Sequence, residues 1–270
     1  MPSSCLEERL TNTLIKNRIY RFLFILYTGI FDIKNLIIKR EIRKWSKNKN
    51  PKTTKIFDIG FGFGQQLQYI YNIIPDANIF GIDLSERAVA CVNSHFNFKK
   101  YPKIYCKQED ITTFEGNETF DLAVAVNLLN YVESDDKAIK NIYDALKPKG
   151  TLLLVNHYSQ KESNDIKKSF DDIHLLPIVR NGYTMPTLRD KLKEAGFSTV
   201  KCRYIYGNTG FWAWKLAIGL PSKWLKNSNL FLLVFPFYIL FLSPLIFFLN
   251  FYDMQIGHTA GHSIFLKAEK

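Results

Sequence analysis

Cysteine is scarce and unpaired in these 270 residues. Cys5, Cys91, Cys106 and Cys202 stand far apart, with no C-x-x-C pair among them. That spacing argues against zinc and predicts free thiols in a reducing compartment. No H-E-x-x-H and no Cys/His cluster is present, so no metal is expected. Internal repeats and low-complexity tracts are also missing. The apolar and charged fractions, 47% and 23%, are those of a folded chain rather than a disordered one. No secretory signal is expected: the apolar run in "RIYRFLFILYTGIF" (18–31) is followed by Asp32, Lys34 and further basic residues, not by a small-residue cleavage site. The chain is long enough to bury one large core or two small ones.

Negative charge is missing from both ends. Residues 1–55 hold 13 Lys/Arg against 4 Asp/Glu and residues 201–270 hold 7 against 2, whereas 56–200 hold 16 against 19. Basic arms suit nucleic-acid phosphates. They suit equally an anionic lipid surface, where each Lys or Arg adds about 1 kcal/mol. The charge map alone does not choose between the two. Charge of either sign is missing from "LFLLVFPFYILFLSPLIFFLNFY" (230–252), a run long enough to cross a bilayer.

The pattern along the chain is more definite. Residues 6–47 read as one or two basic amphipathic helices, with Leu14, Ile15, Ile19, Phe22, Leu23 and Leu26 at helical spacing. The polar "NKNPKTT" (48–54) reads as a linker, so residues 1–50 are taken as a helical arm and 51–270 as the main domain. Strands are expected at 55–59, 78–82, 103–106, 120–126 and 151–155, with helices at 64–74, 85–95 and 135–147 between them. Short apolar strands alternating with helices predict an α/β fold, a parallel sheet covered on both faces. "LKPKG" (146–150) is a helix stop, a helix is expected at 185–197, and strands at 198–206 and 262–270 close the pattern.

The residues that carry chemistry begin at "FDIGFGFG", which sets Asp58, Gly60, Gly62 and Gly64 directly after the first strand. Glycines at alternate positions let the backbone turn sharply and bring its N–H groups close to a ligand. The dinucleotide fingerprint G-x-G-x-x-G/A would need Gly or Ala at position 65, where Gln65 stands. "FGIDLSERAV" puts Asp83 at the tip of the second strand, "CKQEDITTF" puts Asp110 after the third, and "FDLAVAVNLLNYV" puts Asn127 at the end of the fourth.

In order and spacing these motifs resemble those of the class I S-adenosylmethionine-dependent methyltransferases, over about 55–206 and the last strand. The resemblance implies a Rossmann-like, mostly parallel seven-stranded sheet flanked by helices, with the last strand antiparallel. It also implies S-adenosyl-L-methionine as cofactor, held by Asp58, Gly60, Gly62, Gly64, Asp83, Leu84, Asp110, Ile111 and Asn127. An acid at Asp83 would accept from both ribose hydroxyls, and Asp110 would accept from the adenine amino group. Sites on such sheets lie beyond the carboxyl ends of the strands. That rule selects Asn130, Tyr131 and Tyr158 for the acceptor, and His157 as a base if the acceptor must lose a proton. His95 reads as structural, and His174 falls in an irregular segment (157–183).

The run 230–252 then needs another reading than a single crossing. Such a crossing would separate the last two strands of one sheet. Pro236 and Pro244 are expected to divide the run into short helices of about eight residues within an insertion at 207–260. The insertion either packs on its own core or in a homodimer, or lies in the lipid interface with Trp212, Trp214, Trp224, Lys215, Lys223 and Lys226 at its rim. Apolar and basic surface in the same two regions favours an anionic membrane surface over nucleic acid. The resulting expectation is methyl transfer to a hydrophobic small-molecule or lipid-like acceptor, by a cytoplasmic protein bound peripherally to the inner face of a membrane. The alternatives are an inactive lipid- or protein-binding module on the same fold, or a methyltransferase for a soluble or nucleic-acid substrate. Whether O, N or C is methylated is not legible.

Overall fold

In a computed structural model of the chain, the described residues are 17–96, 101–160, 178–227 and 231–270. Two helices come first, α1 (Arg18–Phe31) and α2 (Ile33–Ser46). Strand and helix then alternate through β1 (Lys55–Ile59), α3 (Gln65–Ile73), β2 (Asn78–Asp83), α4 (Glu86–His95), β3 (Ile104–Gln108), β4 (Phe120–Val126), α5 (Asp135–Ala145) and β5 (Leu146–His157). Next come α6 (Met185–Glu194) and β6 (Thr199–Ile205). A helical excursion follows: α7 (Asn208–Trp214), a π-helical turn (Lys215–Gly219), α8 (Leu220–Asn227) and α9 (Phe231–Gln255). The chain then returns as β7 (Ser263–Glu269).

The strands form one sheet in the order β3-β2-β1-β4-β5-β7-β6. All neighbours are parallel except β7, which runs antiparallel to both β5 and β6. Alternate residues of each strand feed opposite faces. Ile56, Leu153 and Val155 pack with Ile38 of α2, Leu67 of α3 and Val92 of α4. Phe57, Leu152 and Leu154 pack with Ile139 of α5 and Leu188 of α6. Burial on both sides is why these strands read as continuous apolar runs. The cysteines at 91, 106 and 202 are free thiols. His95 is buried, against Gln68 Oε1 at 3.2 Å and edge-on to Phe96, while His174 and Cys5 lie outside the described residues.

Three elements differ from expectation. β5 starts at Leu146, not 151, because the turn at Pro148 and Lys149 (φ 64°) sits inside the strand as a register shift against β4. α6 stops at Glu194 rather than 197, since Gly196 (φ 114°) leaves the helical region. The largest correction is α9, one continuous helix with Pro236 and Pro244 inside it, not two short ones. At Pro244 the carbonyl deprived of its N–H, that of Leu240, accepts from Ser243 Oγ at 3.4 Å. Serine replaces the missing donor, as in helices shielded from water.

The buried polar contacts of α9 lie at its C-terminal end. Asn250 Nδ2 donates to Phe31 O at 2.9 Å, satisfying a carbonyl at the end of α1. Asp253 Oδ1 accepts from Gly210 N at 2.7 Å and Thr209 Oγ1 at 2.9 Å, fixing the first turn of α7. Along the rest of its length α9 touches the domain through one stripe, with Ile246 buried and Tyr238 Oη donating to Leu216 O at 2.8 Å, and is otherwise largely exposed. Over the stretch long and apolar enough to cross a bilayer, Val234–Gln255, the most apolar 18-residue window is only 11% buried, which a core helix would not be. β7 returns between β5 and β6, so the helical excursion starts and ends at the same sheet.

Candidate active site

β1 delivers the chain into the loop Gly60–Gly64 with positive φ at Gly60 (69°), Gly62 (53°) and Gly64 (82°). A side chain at any of the three would be strained. An added Cβ at Gly60 would also meet Leu128 at 2.9 Å, whereas at Gly62 it would meet nothing within 4 Å, because that residue faces open space. The space is a cleft at the carboxyl ends of the strands, where Gly60, Gly62, Asp83, Leu84, Asp110, Ile111 and Asn127 all meet.

Asp83 holds the loop and still has capacity to spare. Its Oδ2 accepts from Gly62 N at 2.8 Å and its Oδ1 from Ser85 N at 2.9 Å. Burial raises its pKa, and these two amides oppose the rise. Asp58 lies behind the loop, fully buried, with Oδ2 lacking any hydrogen-bond partner. Burial first, then the neighbouring Asp83 charge, holds its carboxyl well above the usual carboxylate range. Asp110 accepts from Thr112 N at 2.8 Å through Oδ1. Leu84, 48% exposed, offers an apolar surface between the two acids. Asn127 ends β4 in the left-handed region (φ 58°), its N–H donating to Val155 O at 2.7 Å, and so turns the chain into the cleft wall.

The opposite wall was not visible in the sequence. It consists of Phe24 and Thr28 from α1, Asp32 and Lys34 at the α1–α2 junction, and Trp214, Ile218 and Ser222 from the excursion. Asp32 is buried and caps α2, accepting from Lys34 N at 3.2 Å, and Tyr206 Oη donates to the same oxygen. Its Oδ2 lies 3.5 Å from Lys34 Nζ. Tyr206, in turn, sits in the left-handed region (φ 56°), a conformation bulky residues keep only when their surroundings enforce it. The one local signal for Asp32 was a lone acid in a basic, apolar stretch, at a helix-capping position.

Of the residues expected at the acceptor, Tyr131 lines the cleft, while Asn130, His157 and Tyr158 do not. Asn130 is buried and holds the following segment: its Nδ2 donates to Arg180 O at 3.0 Å, and its carbonyl accepts from Val179 N at 2.8 Å. His157 is the buried last residue of β5, paired with Ser263 of β7. Tyr158 packs edge-on against Tyr204 and bridges to Tyr183. That segment is anchored by Asp135, which accepts from Tyr183 Oη at 2.6 Å and pairs with Arg180 and Lys191.

Residues 56–150 match the model of a family described as a methyltransferase domain. Residues 56–150 are by that match a methyltransferase domain, set in a sheet of the class I, S-adenosylmethionine-dependent type. It is 27% identical over 128 residues to the malonyl-[acyl-carrier protein] O-methyltransferase of Bacillus anthracis, covering 47% of this chain and 45% of that one. It is 27% identical over 229 residues to the phosphoethanolamine N-methyltransferase of Plasmodium falciparum, covering 81% and 78%. A structure of Haemonchus contortus phosphoethanolamine N-methyltransferase 2, with phosphomonomethylethanolamine and S-adenosylhomocysteine, superposes with a TM-score of 0.59 at 18% identity. That match covers 95% of this chain and 59% of the other. The chain thus spans less than two thirds of the O-methyltransferase and of the Haemonchus enzyme.

The cleft of this methyltransferase domain suits its cofactor. Asp83 and Asp110 keep free acceptor positions, Leu84 and Ile111 form a flat apolar surface, and Gly62 leaves room for close approach. Asp32 and Lys34 present a carboxylate and an ammonium side by side, matched in sign to the amino-acid end of S-adenosylmethionine. When bound, that cofactor supplies an electrophilic methyl group on a sulfonium.

Proposed function

We propose that the chain transfers the methyl group of S-adenosylmethionine to a hydrophobic acceptor presented at a membrane surface, as a peripheral protein on the cytoplasmic face. The observation that carries this reading is that α1, which walls the cleft on one side, is apolar on the other and lies beside the exposed apolar helix α9. α1 sends Phe24 and Thr28 into the cleft and exposes Ile19, Phe22, Leu23 and Leu26 outward. Its inward face mixes buried Ile25 and Phe31 with polar groups: Arg21 is 1% exposed and donates to Cys91 Sγ at 2.6 Å. α9 packs beside α1, Tyr27 meeting Phe235 at 5.8 Å, and exposes Phe237, Leu240, Phe241 and Phe248. Of the twenty exposed large hydrophobics among the described residues, six lie on α1 and nine on α9. So concentrated a patch marks an interaction surface rather than a solvated one. Lys215, 4.4 Å above the ring of exposed Trp212, gives it the basic and aromatic rim that favours a lipid interface.

The residues then divide the work. The glycine loop, Asp83 and Asp110 orient the cofactor. Phe24, Phe63, Leu128, Trp214 and Ile218 exclude water and accommodate an apolar acceptor, with Tyr131 the polar group among them. Orientation and exclusion of water are what an in-line methyl transfer chiefly requires. An acceptor taken from lipid keeps its chain in lipid, avoiding about 0.8 kcal/mol per methylene. The test is transfer of label from S-adenosylmethionine into a membrane lipid extract, alongside flotation with vesicles. Label in the organic phase and flotation are expected. Transfer only to water-soluble acceptors by a protein that stays unbound would overturn the reading.

A further inference from the structure

A second recess lies on the flank of α1 away from Tyr27, between α1, α2 and α3, and its function is not explained by methyl transfer. Lys39 and Arg43 stand in it four residues apart on α2, so they project from the same face one turn apart. Among the described residues no carboxylate pairs with either. Lys39 is half-buried, its ammonium donating to Gly29 O and lying 4.8 Å from the Tyr69 ring centroid. Burial, and then the Arg43 charge, lowers its pKa. Arg43 is exposed and free to turn into the recess. Asn72 adds a polar side chain from α3. Leu26 and Ile30, 50% and 42% exposed, line the same recess and continue the outward apolar face of α1.

Two unneutralised cations below an apolar rim call for a ligand that is anionic at one end and apolar at the other. A free phosphate would satisfy the cations and leave Leu26 and Ile30 in water. We infer that this recess binds the headgroup of an anionic phospholipid, whose chains lie along the outward face of α1. The inference rests on the membrane-surface reading above and adds a discrete site to it.

The test uses the full chain and vesicles of phosphatidylcholine with and without phosphatidylglycerol. Wild type should prefer the anionic vesicles, and Arg43→Gln, which removes no contact within the fold, should reduce that preference about fivefold. Lys39→Gln/Arg43→Gln should reduce it roughly thirtyfold, with thermal unfolding confirming that the double variant is folded. Lys47→Gln/Lys52→Gln, two exposed charges nearby, is the control and should change little. Equal losses in control and recess variants would mean diffuse attraction and overturn the site. Equal binding of wild type to both vesicles would overturn it too, while leaving the membrane reading intact. Binding to neither would remove the membrane reading itself. Displacement from vesicles by inorganic phosphate as readily as by soluble glycerophosphoglycerol, at matched ionic strength, would make it a phosphate site and not a lipid one.

Discussion

α1 and α2 are consecutive helices of 14 residues each, both apolar on one face, and they are set in the molecule in opposite senses. α2 turns Ile33, Ile37, Ile38 and Ile42 inward, none more than 1% exposed, and Arg43 and Lys44 outward. α1 turns Arg21 and Thr28 inward along with Ile25 and Phe31, yet leaves Ile19, Phe22, Leu23 and Leu26 outward. The burial of α2 follows from water alone. The membrane surface proposed above would account for the outward apolar face of α1, and would put the boundary between protein and lipid along the junction at Asp32.

The largest effect that tests this contrast is on stability. Ile38→Ala on α2 empties a fully buried position and should cost about 3 kcal/mol in denaturant unfolding. Leu23→Ala on α1 should cost no more than about 0.5 kcal/mol. Equal losses would mean that α1 is packed by the protein itself. Asp83→Ala should reduce binding of S-adenosylhomocysteine about 100-fold, since it removes charge-assisted acceptors and releases Gly62. Unchanged binding would dissociate the cofactor from this cleft. Leu23→Ala and Phe241→Ala together should weaken vesicle flotation by roughly tenfold or more, at about 1.5 kcal/mol per apolar side chain withdrawn from lipid. They should leave cofactor binding unchanged.

Much of this was legible from local pattern. Strand period, the three glycines and the acids at the strand tips locate the sheet and the cofactor side of the cleft, because those features act within a few residues of one another. The opposite wall was not legible. Thr28, Asp32 and Lys34 reach the cleft only through packing of α1 and α2 on the sheet, which no spacing encodes. His157 follows the rule that strand ends face the site, but β5 is bracketed at its end by β7 and the 178–183 segment, which leaves it buried. The apolar stripe of α1 was evident, yet periodicity gives a stripe without saying which side meets water. Pro244 reads as a breaker because the rule counts the lost N–H bond, not the Ser243 hydroxyl that replaces it.

The smallest effect concerns pH and separates the cleft from the lipid face. Asp83 has its pKa raised by burial against the Ser85 and Gly62 amides, and Asp58 is raised further. A raised carboxylate stabilises the free protein when protonated, and that contribution is lost as pH rises through the folded pKa. Asp135 has the opposite sign: its pKa is lowered by Tyr183, Arg180 and Lys191 against its burial, so its contribution is present above the unfolded pKa and lost on acidification. The raised pair acts above the ordinary carboxylate range and Asp135 below it, so the pH profile of unfolding combines several groups and does not isolate Asp83. Cofactor binding isolates it, because ribose hydroxyls donate far more strongly to the ionised carboxylate. Affinity for S-adenosylhomocysteine should be flat near neutrality and fall to about half where pH meets the raised pKa, above the ordinary carboxylate range. Asp83→Asn should bind weakly with that acid limb much reduced. Retention of the full limb in the variant would assign it to Asp58, and no limb in the wild type would mean that Asp83 is already ionised in the free cleft. Vesicle binding by α1 and α9 should show no corresponding step, since no carboxylate or imidazole lies among the outward apolar residues that carry it.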